Sequence, residues 1–339
     1  MTTMLRDVFG ERVREQELMA KHTNLRVGGP ARWFVVARSS DEVLSAIGAA
    51  RTHRKQWCIL GGGSNTFVAD AGFDGVVIQM AMREVVVEGM TVTAGAGAVS
   101  AAVALTAGRA GLSGFEWAIS LPGTIGGAVR GNAGCFGGET CDVIREVTVL
   151  DTHGDAPCVR SFTRDACGFR YRHSVFKDDP ALVILGVTLV CTPSTVAACQ
   201  KVMDDILERR RQTQPHEKPS AGCLFKNLEV ATFTDEQRDQ LDRGTGGSWR
   251  DVVSDGRLSV GWVIDRLGLK EHRVGNAAIS AVHGNFVMNC GGATSADVAA
   301  IAEVVQRRAR EVFGVAIAWE VQRIGFATSH DAPAYRGDT

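Results

Sequence analysis

The glycines of this chain are unevenly spread, and their positions limit what the chain can fold into. Of its 339 residues, 39 are glycine, and many of them fall in four short stretches at 61–63, 95–97, 123–137 and 244–247. Glycine weakens regular helix and strand, but it lets the backbone turn tightly or approach another group closely. We therefore expect a fold in which glycine-rich loops, set between regular elements, wrap around a flat or phosphorylated ligand.

Length and charge exclude several classes of protein. A chain of 339 residues can form two or three domains with a large core. Its formal net charge of -1 offers no attraction to nucleic acid or to an anionic membrane surface. No apolar run is long enough to span a membrane, and the first residues lack the layout of a signal peptide. We expect a cytoplasmic protein with no obligatory protein partner.

The nine cysteines also bear on the class of the protein. They are scattered, with no Cys-x-x-Cys pair and no other paired spacing. This pattern favours reduced thiols in a cytoplasm over a disulfide framework. No group of cysteines and histidines has the spacing of metal ligands, so the sequence predicts no structural metal.

Hydrophobic patterning predicts a mixed α+β chain. A helical lead-in over residues 1–20 precedes a strand–helix–strand unit, whose helix opens with Ser39 and Glu42 at the spacing of a capping box. The polar, glycine-rich segment 228–257 is typical of a mobile surface insertion. The predicted strands lie at 31–36, 57–60, 75–80, 84–94, 146–151, 182–191, 277–281, 285–289 and 316–324, and the predicted helices at 39–54, 99–109, 195–213 and 296–313.

Two glycine motifs can be compared with known phosphate-binding patterns. Gly95–Ser100 follows a strand and opens a helix, but it lacks the third glycine of a dinucleotide-binding fingerprint, and the chain has no P-loop motif. The run Gly61–Asn65 directly ends a predicted buried strand. Its successive backbone N–H groups can form a nest that suits a pyrophosphate. A loop that is merely flexible is disfavoured, because conformational freedom of the backbone next to a buried strand costs stability.

Three further segments carry groups that can hold charge or move a proton. In an extended strand Arg170 and Arg172 would share one face, where an arginine could bind a carboxylate or stabilise an oxyanion; a solvated edge strand is the alternative. Glu320 follows apolar residues, and it lies either on a solvent face or in the interior with a raised pKa. Read alone, the stretch from Pro219 to Cys223 favours a tight turn with a buried thiol over a loop that delivers a proton.

Eight motifs occur along the chain in an order that closely resembles the UDP-N-acetylenolpyruvoylglucosamine reductase family. No single motif is specific, but eight in this order leave little room for coincidence. The resemblance covers about residues 20–325. The motifs are His22–Ala31, Leu60–Thr66, Ile119–Ala128, Asn132–Gly134, Tyr171–Lys177, Pro219–Asn227, His283–Asn289 and Trp319–Gly325.

The resemblance implies an α+β flavoenzyme with an FAD-binding (PCMH) fold of the vanillyl-alcohol-oxidase-like type and a C-terminal α+β substrate-binding domain. It implies FAD and NADPH as cofactors. The reaction would reduce UDP-N-acetylglucosamine enolpyruvate to UDP-N-acetylmuramate during peptidoglycan precursor synthesis. On this basis we expect a lead-in at 1–27, an FAD-binding domain at 28–193 with subdomains at about 28–82 and 83–193, a substrate-binding domain at 194–326 with an insertion at about 228–257, and a flexible tail at 327–339.

The resemblance also assigns catalytic roles. By family position, Arg172 and Glu320 would stabilise the negative charge that hydride transfer leaves on the substrate, and residue 223 would donate the completing proton. The family most often has serine there, whereas this chain has Cys223. A thiol has a reference pKa of ~8.5 and is the more acidic donor, so we expect activity to survive and the thiol to be open to alkylation.

Binding residues follow from the same resemblance. For the substrate they are Tyr171, Lys226 and Asn227. Where the family often has a basic residue ten positions before the proton donor this chain has Thr213, and we expect Arg209 or Arg211 to contact phosphate instead. For the cofactor they are Gly61, Gly62, Gly63, Ser64 and Asn65 at the pyrophosphate, and Gly123, Thr124, Gly126 and Gly127 at the flavin.

Some members of the family close a tyrosine-bearing loop over the UDP-sugar. This chain has only Tyr171 and Tyr335, and the segment from Phe176 to Val183 is short, so we expect the second type of the enzyme, which lacks the lid. Two other functions stay open. An FAD-dependent alcohol or sugar oxidase would keep the glycine loops without needing Cys223 to Asn227, and a UDP-sugar-binding regulator would have no chemistry at position 223.

Overall fold

The computed structural model describes residues 1–154 and 156–326, so the predicted tail at 327–339 lies outside the described residues. The described chain combines helices with several small sheets, which confirms the α+β class. Within these ranges, no helix is both long and apolar enough to cross a membrane.

The first region is built on a four-stranded sheet. Its elements are α1 (Thr2–Phe9), β1 (Arg14–Leu18), β2 (Pro30–Ala37), α2 (Ser40–Thr52), β3 (Gln56–Leu60), β4 (Thr66–Val68) and β5 (Phe73–Met80). The strand order is β1-β2-β5-β3, and β5 pairs in parallel with both β2 and β3. Parallel strands need a crossover connection, and α2 supplies one between β2 and β3, which flank β5. The helix begins where predicted, since the Ser39 hydroxyl accepts the N–H of Glu42 at 3.2 Å.

The predicted lead-in is part of this first region. Helix α1 ends at Phe9 instead of continuing to residue 20, and β1 pairs antiparallel with β2 at the edge of the sheet. Leu5 and Phe9 are buried. The expectation of a helical lead-in over 1–20 was wrong, because Gly10, which has a φ of 55°, caps the end of the helix, and residues 14–18 pair with β2 instead.

The second region is built on a five-stranded antiparallel sheet, with strand order β12-β11-β13-β7-β6. The glycine segments at 95–97 and 123–127 meet above it, where the N–H of Gly126 donates to the carbonyl of Ala96 at 3.0 Å. Its elements are β6 (Val85–Glu88), β7 (Thr91–Gly95), α3 (Ser100–Arg109), β8 (Leu112–Ser113), α4 (Ile125–Gly131), β9 (Gly134–Cys135), β10 (Gly138–Glu139), α5 (Thr140–Val143), β11 (Ile144–Asp151), β12 (Cys158–Thr163), α6 (Val175–Asp178), β13 (Leu182–Val190) and β14 (Thr192–Pro193).

The third region packs a four-stranded sheet against one long helix. Its sheet has strand order β15-β21-β20-β19, and Val298 and Ile301 of α10 are fully buried in the core. Helix α7 (Val196–Thr213) precedes this region along the chain, and the elements of the region are β15 (Ser220–Cys223), β16 (Leu228–Glu229), α8 (Asp235–Thr245), β17 (Val253–Ser254), β18 (Arg257–Leu258), α9 (Val260–Arg266), β19 (Arg273–Val274), β20 (Ala277–Ile279), β21 (Phe286–Asn289), α10 (Ser295–Phe313) and β22 (Gln322–Ile324).

The C-terminal strand is shorter than predicted and ties the chain back to its beginning. Only Gln322–Ile324 forms a strand, and it pairs in parallel with β4. Residues 314–321 run extended beside the core without joining a ladder, apart from a single bridge between Trp319 and Phe225. The prediction of a strand over 316–324 failed because alternating burial of apolar side chains does not require strand pairing.

Helix α7 lies with the second region. It packs against α3 and against the short 3-10 helix Glu116–Ser120, with Cys199 and Met203 buried between them. We expected the boundary of the FAD-binding domain before this helix, at 193. Because its apolar face covers the second region, we propose that the boundary follows α7 instead.

The segment 228–257 is packed and regular, whereas we expected a mobile insertion. Helix α8 has a capping box at Thr234 and Gln237 and contacts α10. Leu241 and Trp249 are buried, and the indole N–H of Trp249 donates to Asp242 at 2.8 Å. Two apolar residues thus anchor a segment whose composition is otherwise polar.

Candidate active site

A cavity of about 920 Å³ lies where the glycine loops face the third region. One wall is made by the strand-ending run Gly61–Asn65 and by Thr124, Gly126 and Gly127. A second wall carries Arg172, Cys223 and Glu320, which come from distant parts of the sequence. The structure therefore brings together the residues predicted for the cofactor and the three predicted to be catalytic. Gly123 lies beside them, on an adjoining cavity of about 200 Å³.

The two glycine loops touch each other without room for side chains. A Cβ atom on Gly62 would lie 2.8 Å from the Cα of Gly123, and one on Gly61 would collide with the Thr124 hydroxyl. Gly123 itself has a φ of 97°, which side chains disfavour. The close approach holds one edge of the cavity in a fixed shape.

Polar groups on this edge fit the cofactor that the motifs imply. In the described part of the chain, the successive backbone N–H groups of Gly62, Gly63 and Ser64, which lie outside the helices and strands, have no backbone acceptor. The buried hydroxyl of Thr124 has no partner among the described residues. Buried polar groups are normally satisfied, so this hydroxyl points to an absent polar group, and the row of loop N–H groups can form a nest for an anion. The pyrophosphate and flavin of FAD are groups of this kind.

Arg172 and Glu320 form an ion pair at the second wall. The Arg172 Nε donates to the Glu320 Oε1 at 2.9 Å, and its Nη2 donates to the carbonyl of Gly134 at 2.9 Å. Both side chains are largely buried, with 22% and 15% of their surfaces exposed. Burial is the largest single influence and lowers the pKa of Arg172, but Glu320, Tyr171 and Cys223 together raise it by more, so the net direction is upward. The arginine is thus charged, held at two points and turned toward the cavity.

The segment around Arg172 is a tight turn, where we expected an extended strand. Arg170 and His173 exchange backbone hydrogen bonds at 3.1 and 3.0 Å, and Arg172 adopts a left-handed φ of 52°. The turn separates the two arginines, since the side chain of Arg170 is 72% exposed. Asn132 holds the turn from outside by donating to the Arg170 carbonyl at 3.1 Å. This contact joins residues far apart in sequence, so local pattern could not reveal it.

Glu320 is interior, which settles the alternative left open by its sequence. Its N–H donates to the carbonyl of Leu224 at 2.9 Å, which places it beside the loop that carries Cys223. Burial raises the pKa of Glu320, and the nearby charges of Arg172 and Lys177 only partly oppose this. At neutral pH the charged and neutral forms of this carboxyl are therefore closer in free energy than those of an exposed glutamate.

Cys223 closes the group of three. It ends β15, directly after Gly222, whose φ of 79° lets the chain turn toward the cavity. Burial raises the pKa of the Cys223 thiol to about 12; Glu320 adds to the rise and Arg172 opposes it. The thiol therefore keeps its proton at neutral pH. This opposes our expectation that the thiol is open to alkylation, because alkylation needs the thiolate; that expectation stays a prediction.

The residues predicted to bind substrate lie behind this wall and do not line the cavity. The Tyr171 hydroxyl accepts the N–H of Asn227 at 3.3 Å. The Asn227 Oδ1 in turn accepts the N–H of Val260, the first residue of α9, at 3.1 Å. The backbone of Lys226 is fixed by a bond to the carbonyl of Ala318 at 2.9 Å. Their predicted contact with substrate stays a prediction, as does the lid-less type.

Several cations on the cavity were missed by sequence reasoning. Arg130, Lys177, Arg210 and Lys218 all line it. Lys177 ends the motif Tyr171–Lys177, but nothing in the sequence pattern distinguishes it from a surface lysine. Arg210 had a signal, because it continues the buried helical spacing of Cys199, Met203 and Ile206.

Neither arginine expected at phosphate faces this cavity. Arg209 stacks 5.7 Å from the ring of Phe136, and Arg211 pairs with Glu208 at 3.1 Å on the surface. Successive helical residues point in different directions, so only one of three adjacent arginines can face the cavity. Within the described ranges, no group of three or more His, Cys, Asp or Glu side chains could hold a metal ion.

Two protein-family models match the chain. One is described as "FAD binding domain" and matches residues 31–156. The other is described as "UDP-N-acetylenolpyruvoylglucosamine reductase, C-terminal domain" and matches residues 214–324. The two matches fall on the two sides of the cavity.

Relatives along the full length agree with the family models. A UDP-N-acetylenolpyruvoylglucosamine reductase of Heliobacterium modesticaldum is 34% identical over 96% of this chain and 94% of its own. One from Desulfosudis oleivorans is 36% identical over 95% and 97% of the two chains. The crystal structure of the enzyme from Thermus caldophilus is 30% identical, with a TM-score of 0.72 over 92% of this chain and 99% of that one.

The residues that line the cavity agree with the family models, with the full-length relatives and with the matching solved structure. The chain is an FAD-containing oxidoreductase and belongs to the UDP-N-acetylenolpyruvoylglucosamine reductase family.

Proposed function

We propose that this enzyme reduces UDP-N-acetylglucosamine enolpyruvate to UDP-N-acetylmuramate with NADPH, using the side chains of one cavity wall in defined roles. When bound, FAD would carry hydride from NADPH to the methylene carbon of the enolpyruvyl group. The observation that carries the proposal is the convergence of Arg172, Cys223 and Glu320 on the cavity that the glycine loops line. Three segments far apart in sequence meet there around a single space.

Arg172 stabilises the charge that develops on the substrate. After the methylene carbon gains a hydride, negative charge spreads over the adjacent carbon and its carboxylate. A buried guanidinium that is already oriented can stabilise such charge without reorganisation. Glu320 orients the guanidinium through the 2.9 Å bond to Nε, which leaves the other donors of Arg172 for the substrate and for Gly134.

Cys223 supplies the proton that completes the reaction. The Sγ–H bond breaks and a C–H bond forms at the carbon next to the carboxylate, which yields the lactyl ether. The raised pKa means that the proton is present before the reaction. Arg172 lowers the pKa of this thiol and so stabilises the thiolate that is formed. Water then restores the proton before the next turnover.

The remaining cations of the cavity suit the charged parts of the substrate. Arg210, at the end of α7, and Lys218, before β15, both line the cavity away from the glycine loops. We assign them to the diphosphate of the UDP-sugar, because arginine and lysine both bind phosphate oxygens well. We place the reaction in the cytoplasm, which the scattered, free cysteines support.

A test separates flavin loading from proton donation. The purified protein should show the visible spectrum of bound flavin, NADPH should bleach it without oxygen, and the enolpyruvyl substrate should restore it. Cys223→Ala should still be bleached by NADPH but should lose about 100-fold or more of its turnover, the usual scale for a proton donor. Cys223→Ser is the matched control and should keep activity, since its hydroxyl can donate a proton.

Each alternative predicts a different result. Bleaching without recovery by the enolpyruvyl substrate would favour an oxidase, and a protein without flavin would favour a regulator that only binds UDP-sugar. Normal turnover by Cys223→Ala would rule out the thiol as proton donor.

A further inference from the structure

Lys177 contacts the backbone of Arg172 from inside the cavity. It lies in the one-turn helix α6, whose Phe176 is buried, and its side chain reaches back toward the preceding turn. The Lys177 Nζ donates to the carbonyl of Arg172 at 2.7 Å, and the side chain also lines the cavity. A charge-assisted bond of this length fixes the carbonyl more firmly than a bond to a neutral donor.

The conformation of Arg172 explains why such a bond matters. Its φ of 52° is in the left-handed region, which a residue with a side chain adopts only when its surroundings enforce it. The hydrogen bonds between Arg170 and His173 close the turn on one side. Ser174 follows the turn, and its hydroxyl anchors the chain there by donating to the Arg130 carbonyl at 2.7 Å. Between these anchors, Lys177 holds the carbonyl of Arg172 itself.

The groups facing Lys177 come from four parts of the fold. They are Arg130 from α4, Arg172 from the turn, Lys226 after β15 and Glu320 from the C-terminal segment. Three are cations and one is a carboxylate. Burial first, and then the neighbouring cations, lower the pKa of the Lys177 ammonium to about 7. Its charge therefore changes within the physiological range of pH.

We propose that Lys177 is a positioning residue for Arg172, whose bond to the Arg172 carbonyl keeps the strained turn closed and the guanidinium aligned on Glu320 and the cavity. This inference rests on the role of Arg172 in the proposed function. It adds a residue that acts through the backbone of Arg172 without touching the reacting carbon.

A dependence on pH follows with a definite sign. A lysine with a lowered pKa is charged below that pKa and neutral above it. As pH rises through about 7, Lys177 loses its proton, its bond to the carbonyl weakens, and the turn loosens. The value of kcat/KM for the enolpyruvyl substrate reports groups of the free enzyme, so it should fall over this range. Lys177→Arg, which stays charged, should remove this fall.

A double-mutant cycle on the holoenzyme tests the assignment. Lys177→Met should lower kcat/KM about 10- to 100-fold, as expected for loss of a hydrogen bond from a charged group. Arg172→Met should lower it more, and adding Lys177→Met to that variant should cost less than about 3-fold, because a positioning residue has nothing left to position. Lys201→Met, in an exposed pair with Asp205 on α7, is the matched control and should match the wild type.

Flavin absorbance and melting temperature show that each variant is folded, and calorimetric titration with UDP-N-acetylmuramate measures binding apart from turnover. Product affinity should change less than about 3-fold in Lys177→Met, since the loss falls on the transition state.

Each other outcome has a definite meaning. If Arg172→Met is fully active, the proposed role of Arg172 fails. If Arg172→Met is impaired and Lys177→Met is not, only the positioning role fails. A full effect of Lys177→Met in the Arg172→Met background would show that Lys177 acts on the substrate directly, and this would overturn the inference. If Lys177→Met does not fold, the pH profile of Lys177→Arg decides, and an unchanged alkaline fall would overturn it.

Discussion

The two walls of the cavity are built by different means. The wall of Gly61–Asn65 and Gly123–Gly127 presents backbone N–H groups and is shaped by the absence of side chains. The second wall presents Arg172, Cys223 and Glu320, which owe their charge and proton content to burial and to each other. In the proposed function, the first wall binds the cofactor through its main chain and the second reacts through its side chains.

The comparison shows which property of each wall is sensitive to change. A backbone wall tolerates no added atoms, because its loops already touch. A side-chain wall tolerates changes of shape but not changes of charge, because each group sets the pKa of its neighbours. Substitutions on the two walls should therefore fail in different ways.

The largest expected effect is on the backbone wall. Gly62→Val would place a Cβ 2.8 Å from the Cα of Gly123 and force the loops apart. We expect the purified protein to retain little flavin, with affinity reduced about 100-fold or more, the scale on which small displacements disrupt a preorganised site. Absorbance of bound flavin measures the effect. Gly48→Ala in α2, where a Cβ meets nothing within 4 Å, should keep full flavin content. Normal flavin in Gly62→Val would contradict the backbone account.

A smaller effect is expected on the side-chain wall, without loss of flavin. Glu320→Gln keeps an acceptor for the Arg172 Nε but removes the charge, and kcat/KM should fall about 3-fold to 10-fold. Glu320→Ala removes both and should cost about 10-fold to 100-fold, the scale for losing a hydrogen bond to a charged group. Steady-state kinetics at equal flavin content measure the difference. Equal losses in the two variants would show that charge alone matters, and no loss in Glu320→Ala would remove Glu320 from the mechanism.

The smallest effect tests whether the segment 228–257 supports the side-chain wall. The guanidinium of Arg257 lies 4.1 Å from the centre of the Tyr171 ring, and that of Arg172 lies 5.2 Å from it. Arg257→Ala should raise the KM for the enolpyruvyl substrate about 3-fold to 10-fold, as expected for one cation–π contact. Arg243→Ala, exposed on α8 in the same segment, is the control. Equal KM values for both variants would mean that the segment is peripheral to the site.

The contrast between the walls also explains what could be predicted from the sequence. The backbone wall was readable because glycine runs at the ends of strands have few other uses. The helices could be predicted for a similar local reason: Ser39 and Glu42 stand at capping spacing before α2, and α10 carries its apolar residues at helical spacing. Sequence signals that lie within one helical turn depend little on contacts from elsewhere in the fold.

The side-chain wall was readable only in part. The family resemblance pointed to Arg172, Glu320 and Cys223, but their conformations depend on contacts from elsewhere. The turn at Arg172 depends on Asn132, and the pKa of Cys223 depends on burial that no local pattern reveals. Likewise the core under α8 rests on Leu241 and Trp249, two apolar residues in a polar stretch. Long-range contacts of this kind decide structure where local preference is weak.

The pairing of β22 with β4 has a consequence for how the enzyme is made. Gln322 lies opposite Thr66, its N–H donates to the carbonyl of Asn65 at 2.9 Å, and the Asn65 amide donates to the carbonyl of Glu320 at 3.4 Å. The glycine loop and the carboxylate of Glu320 are thus set by one short ladder between β4 and β22. During synthesis on the ribosome the cavity cannot close until residues 322–324 have emerged, so a product that stops before residue 320 has the glycine loops but lacks Glu320.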